Sequence, residues 1–114
     1  MVESATEREQ RAARNQAIVR EVNEQLEKLG DGNAPQSFKK FACECADREC
    51  IEPVELTVDE YESVRAQGAT FVVAPGHVYP DVECVTFETS RFTVVEKLRS
   101  ASRIARAHDP RARP

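Results

Sequence analysis

Apolar residues follow two different periods along the chain. In the first quarter they recur every three or four positions. Ile18, Val22, Leu26 and Leu29, with Val19 beside them, mark one stripe of a predicted helix from about Ala5 to Leu29. Residues 7 to 14 are almost entirely charged, polar or alanine, so only the second half of that helix has an apolar face. Ser4 with Glu7, or Thr6 with Glu9, has the capping-box spacing that opens a helix, and Gly30-Asp31-Gly32-Asn33 supplies the stop. Asn15, Ile18, Val22, Gln25 and Leu29 also trace a short heptad seam with two polar positions. The helix therefore has two uses open to it: covering its own domain or pairing with another helix.

After residue 37 the pattern becomes shorter and more β-branched. Ile51, Val54 and Leu56 predict a short buried strand, and Pro53 within it argues for a sheet edge. Thr57 and Glu60 form another capping box, opening a short helix that carries Val58, Tyr61 and Val64 inward and ends at Gly68. Residues 70 to 74 read as a strand cut off by the turn pair Pro75-Gly76. Between 81 and 88 the signals conflict: Val82, Val85 and Thr89 have helical spacing, while Val85 and Phe87 alternate. A short helix is expected there. Residues 91 to 97 predict a last strand. Leu98, Ala101, Ile104 and Ala105 give the closing segment little to bury before Pro110, and fraying is expected. These elements predict an α+β fold: an N-terminal helix (1–30), a linker (31–37), a small domain of short strands and one or two short helices (38–97), and a C-terminal tail (98–114).

Composition adds one constraint. A chain of 114 residues with 40% hydrophobic and 32% charged residues has a thin core, so anything that staples it matters. Its longest apolar runs are far too short to span a bilayer, and its first ten residues lack an apolar signal core. A cytoplasmic protein with no membrane association is expected. From Lys97 onward six basic residues face one acid, a balance of +5, so the net charge of −4 leaves −9 on residues 1 to 96. An acidic body of that size repels nucleic acid, which makes nucleic acid an unfavoured partner unless the basic tail acts as a separate arm.

The chemistry is concentrated in Phe41-Ala-Cys-Glu-Cys-Ala-Asp-Arg-Glu-Cys50, a C-x-C-x4-C cluster. Residues two apart in an extended segment share a side, so Cys43 and Cys45 can face one point while the intervening loop returns Cys50 to it. In a reducing compartment, three converging thiols point to a cation rather than to disulfides, and a tetrahedral zinc site takes four Cys or His ligands. His77, immediately after the Pro75-Gly76 turn, is the expected fourth ligand and Zn2+ the expected metal. Cys84 is the rival, with small buried hydrophobe as its other reading. Glu44 and Asp47 are weaker competitors as oxygen ligands, and His108 reads as a surface histidine.

The strings at 13–27, 41–77 and 91–97 resemble a family of short actinobacterial proteins with no assigned activity. The resemblance implies that Cys43, Cys45, Cys50 and the histidine of Pro75-Gly76-His77 belong together, and that Cys84 stands at a position not typically cysteine. One departure is Ala46, where the family pattern implies glycine. A small zinc-binding interaction or regulatory protein is the expected function, acting on an unknown protein partner or on itself through the N-terminal helix. The alternatives are a thiol and zinc redox sensor, a zinc hydrolase with Glu44 as base, or an accessory to nucleic acid. An enzyme is the less favoured class, because three thiolates weaken a zinc ion as a Lewis acid.

Overall fold

The structure, a computed structural model, describes residues 5–28, 37–45, 47, 49, 50, 52–80 and 82–112. The fold is α+β. Helix α1 (Ala5–Lys28) leads to strands β1 (Phe38–Ala42) and β2 (Pro53–Thr57), then helix α2 (Val58–Arg65). Strands β3 (Thr70–Val73), β4 (Glu83–Glu88) and β5 (Thr93–Lys97) follow, then helix α3 (Arg99–Ala107) and a 3-10 turn (Pro110–Ala112). The side chains of Ser4 and Thr6, Leu29 with the Gly30 to Asn33 stop, Ala46 and Ile51 lie outside the description.

Two antiparallel sheets form the body. β1 pairs with β2, with Phe41 opposite Val54. The second sheet has the order β3-β5-β4. On β2 only Val54 and Leu56 are buried, the alternation of a strand with one covered face, whereas all of β3 is buried. Phe41 and Tyr61 stack with ring centroids 4.5 Å apart, which fixes α2 on the hairpin. The Thr57–Glu60 capping box is fully formed: Glu60 N–H donates to Thr57 Oγ1 at 3.0 Å and Thr57 N–H to Glu60 Oε1 at 2.8 Å. Beyond α2 the chain needs glycine at 68 for lack of room, since a Cβ there would stand 2.8 Å from Asp109 Oδ2.

Two expectations are corrected. The segment expected as a short helix is strand β4, preceded by a single turn in which Val82 and Glu83 N–H both donate to Tyr79 O. Val85 pairs with Val95 and Phe87 with Val94, so Thr86 is an extra residue in a bulge. That bulge breaks the period of two and leaves the helical spacing that the sequence pattern shows. The closing segment, where fraying is expected, is helical over Arg99–Ala107 and buries Ala101 and Ala105.

The second correction concerns α1. Its fully buried residues are Ala13, Gln16, Arg20 and Asn23; of the aliphatic stripe Leu26 packs half-buried against the core, whereas Ile18 is 63% exposed and Val22 47% exposed. The physical reason lies in the surface it meets, which offers backbone groups at the sheet margins beside the Phe71 ring under Arg20. Gln16 Nε2 donates to Glu44 O at 3.0 Å, and Asn23 exchanges hydrogen bonds with the N–H and C=O of Ala42. Arg20 donates to Gly68 O and Thr70 O. Ala42 ends β1 and Thr70 opens the edge strand β3, so α1 supplies polar partners to the margins of both sheets.

An ionic lock ties the C-terminal turn to both helices. Arg65 reaches Asp109 at 2.6 Å and Glu24 at 2.9 Å, while Arg111 reaches Glu24 at 2.7 Å and Glu62 at 2.9 Å. Burial alone would raise the Asp109 and Glu24 carboxyls; the hydrogen bonds from Arg65 and Arg111 outweigh it and hold both below their ordinary values. A folded value below the unfolded one gives stability that is present above the ordinary values of 3.8 and 4.5 and is lost as pH falls through the lower folded values. Urea unfolding of the full chain across acidic pH should therefore show falling stability over that window, with a shallower fall in Asp109→Asn. At neutral pH that variant should be less stable by about 2 kcal/mol, below the usual cost of breaking a buried pair because Glu24 still partners Arg65. An unchanged pH slope would refute the lock.

Candidate metal centre

The centre forms where β1 leaves its partner. Cys43 N–H still donates to Glu52 O at 3.1 Å, continuing the hairpin, but Glu44 N–H donates to Val72 O at 2.8 Å and draws the chain toward β3. Alternation along this extended stretch puts Cys43 and Cys45 on one side and Glu44 on the other. Asp47 shapes the loop that follows: its Oδ1 accepts from Glu49 N–H at 2.9 Å and its carbonyl from Cys50 N–H at 3.0 Å, which brings Cys50 back. From the other sheet, β3 runs into the Pro75-Gly76 turn, closed by His77 N–H donating to Ala74 O at 3.0 Å. Gly76 has φ +87°, as the third position of a type II turn with proline at the second demands, and a Cβ there meets open space but a strained backbone.

Each of Cys43, Cys45, Cys50 and His77 offers one ligand atom, and the four lie within 4.8 Å of one another. Cys43 and Cys45 are buried, Cys50 and His77 half-buried. The Sγ atoms of Cys43 and Cys50 each stand 3.5 Å from His77 Nδ1. A tetrahedral zinc with Zn–S of about 2.3 Å and Zn–N of about 2.0–2.1 Å would place sulfur and nitrogen about 3.6 Å apart. The donor set and its spacing therefore fit a metal ion. A cleft of 240 Å3 bordered by Cys45, Asp47, Gly76, His77, Val78 and Tyr79 gives an ion an entry path.

Burial dominates the electrostatics of the cluster. Burial pushes the Cys43 thiol well above the ordinary thiol range; the Ala74 N–H, donating to its sulfur at 3.1 Å, pulls the other way, and neighbouring Cys45 adds to the rise. Burial raises the Cys45 thiol too, against the pull of the Asp47 backbone. Thiols placed so close and so dry do not ionise together unless a positive charge offsets them, and a divalent ion does so.

The other candidates lie elsewhere. Cys84 is exposed on β4 opposite Glu96, and His108 follows the end of α3. Glu44, weighed as a ligand or a catalytic base, is fully buried on the reverse side of the strand. Its Oε1 accepts from Val72 N–H at 3.1 Å; its Oε2 accepts from Asn23 Nδ2 at 2.9 Å and from the Tyr61 hydroxyl at 2.8 Å. Burial, reinforced by the charge of Glu44, raises the Tyr61 phenol far above its ordinary value and keeps it a donor. The Arg20 guanidinium lies 3.9 Å from Oε1 and stacks 3.7 Å above the Phe71 ring.

Sequence reasoning missed this scaffold behind the ligands. Gln16, Arg20 and Asn23 do recur at helical spacing, but three polar residues on one helix face carry the same pattern as a solvated surface. Comparison of the chain with protein-family models, with curated proteins and with solved structures finds no match. Among the described residues no helix is long and apolar enough to cross a membrane.

Glu44→Ala should be severely destabilising although it removes no ligand. It strands the Val72 amide and the Tyr61 hydroxyl in the interior, removes one of the two acceptors of Asn23 Nδ2 and leaves Arg20 short of a counter-charge, a cost of about 4 kcal/mol or more. Thermal unfolding of the variant within a few degrees of the parent would show that the network contributes little.

Proposed function

We propose that this chain is a small interaction or regulatory domain whose body is stapled by one structural Zn2+ on Cys43, Cys45, Cys50 and His77. The observation that carries the reading is the convergence of three sulfurs and one imidazole nitrogen within 4.8 Å from two separate sheets. Three thiolates with one imidazole is a common structural zinc set, and soft sulfur donors select against magnesium and calcium.

Two features favour a structural over a hydrolytic role. Four protein ligands leave no position for a water, and three thiolate charges would make any bound water a poor acid. The nearest carboxylate in sequence, Glu44, is engaged by Val72, Asn23 and Tyr61 on the far side of the strand and does not serve as a base at the metal. What the metal supplies is a crosslink. It ties the β1–β2 hairpin to the turn after β3, two parts that share no strand pairing. Structural zinc contributes apparent binding free energies of about 10–16 kcal/mol in zinc-finger peptides, as much as the whole stability of a small domain.

Native mass spectrometry of untagged protein purified without chelator, with elemental analysis, should find one zinc per chain. Cys43→Ser, Cys45→Ser, Cys50→Ser and His77→Ala should each lower zinc occupancy and thermal stability, whereas Cys84→Ser should change neither. Zinc retained in His77→Ala and lost in Cys84→Ser would overturn the ligand set. A parent protein with no metal and four free thiols would overturn the zinc reading altogether.

A further inference from the structure

The outward face of α1 is unusual for a helix that packs on a domain. Its inward face is held by Gln16, Arg20 and Asn23, and its aliphatic pair Ile18 and Val22, one turn apart, faces water at 63% and 47% exposure. Ile18 is flanked on this face by exposed Arg14 and Glu21, neither of which makes an ion pair among the described residues. Beside it runs a groove of 330 Å3, with Ala17, Ile18 and Glu21 on one wall and Ala107, His108 and Pro110, at the end of α3, on the other.

We propose that this face binds a second copy of the chain, with the two α1 helices antiparallel about a two-fold axis between Ala17 and Ile18. The argument is self-complementarity. Read from the N-terminus the face runs Arg14, Ile18, Glu21; read backward it runs Glu21, Ile18, Arg14, so opposite charges meet when the helices are reversed. The axis that sets Arg14 opposite the partner's Glu21 also sets Glu7 opposite the partner's Lys28 and places Ile18 against the small Ala17 of the partner. Parallel pairing would instead bring Arg14 to Arg14 and Glu21 to Glu21. The helix is about 36 Å long, enough for a paired interface, and the two sheets lie on its opposite side while only the end of α3 and the turn after it border the exposed face. With only two aliphatic residues at its centre the contact is weak, which suits a dimer that forms at high local concentration. This inference uses no ligand of the metal centre and stands apart from the zinc reading.

Sedimentation equilibrium of the full chain from micromolar to millimolar concentration should show a monomer–dimer equilibrium. Ile18→Asp should weaken dimerisation about tenfold or more. Arg14→Glu and Glu21→Arg should each weaken it several-fold, and the double variant should restore it. Circular dichroism melts matching the parent would show that these surface variants still fold. A chain that stays monomeric at millimolar concentration overturns the proposal. So does a dimer indifferent to Ile18→Asp, or a double variant no tighter than the single ones.

Discussion

The carboxylate of Glu44 sits where three other pieces of the chain meet, α1, α2 and β3, and each gives it a hydrogen bond. The backbone N–H of Glu44 takes the carbonyl of Val72, and its Oε1 takes the Val72 amide, so one residue serves as strand partner to the outer edge of β3. Its Oε2 holds Asn23 of α1 and Tyr61 of α2, and its carbonyl holds Gln16. Burying a carboxylate is costly, and this one is tolerated because every neighbour is a donor and Arg20 brings a positive charge to 3.9 Å. Among the described residues the two sheets share no ladder. Glu44 is the residue through which their backbones are joined.

Its position between Cys43 and Cys45 has a mechanical meaning. In an extended strand a slip of one residue exchanges the two sides, so the thiols would turn into the core and the carboxylate toward the ligand cluster. The packing of α1 and α2 around Glu44 therefore presents the sulfurs of Cys43 and Cys45 on the opposite side of the strand, toward Cys50 and His77. The Ala74 amide adds a second tie, since it is an outer-edge donor of the chain leaving β3 and gives its proton to the Cys43 sulfur.

Residues with a strong local signature were legible without coordinates. The Thr57–Glu60 box, the β-branched run at 70–73 and the Pro75-Gly76 turn are decided by neighbours in sequence, and so was the reach of α1. The cysteine spacing and a histidine placed just past a turn pointed to residues that the fold does bring together. What escaped was whatever a distant partner decides. The bulge at Thr86 disguised a strand as a helix turn. The buried face of α1 was hidden because most of its partners are backbone groups, which look the same under every side chain and leave no trace in the pattern of hydrophobic positions. Glu44 read as a spare ligand for the same reason, as nothing nearby in sequence announces Asn23 or Tyr61.

The polar attachment of α1 gives this small protein two adhesives with different thermal behaviour. The body of Phe41, Leu56, Phe71 and Val95 is held by apolar burial, whose exposure raises heat capacity and whose hold relaxes on cooling. Lifting α1 away uncovers amide, guanidinium and carbonyl groups, whose hydration lowers heat capacity. The helix and the body it covers therefore have stability curves of unequal curvature, and the balance between a docked and a lifted helix is set by temperature differently from the balance between folded and unfolded chain.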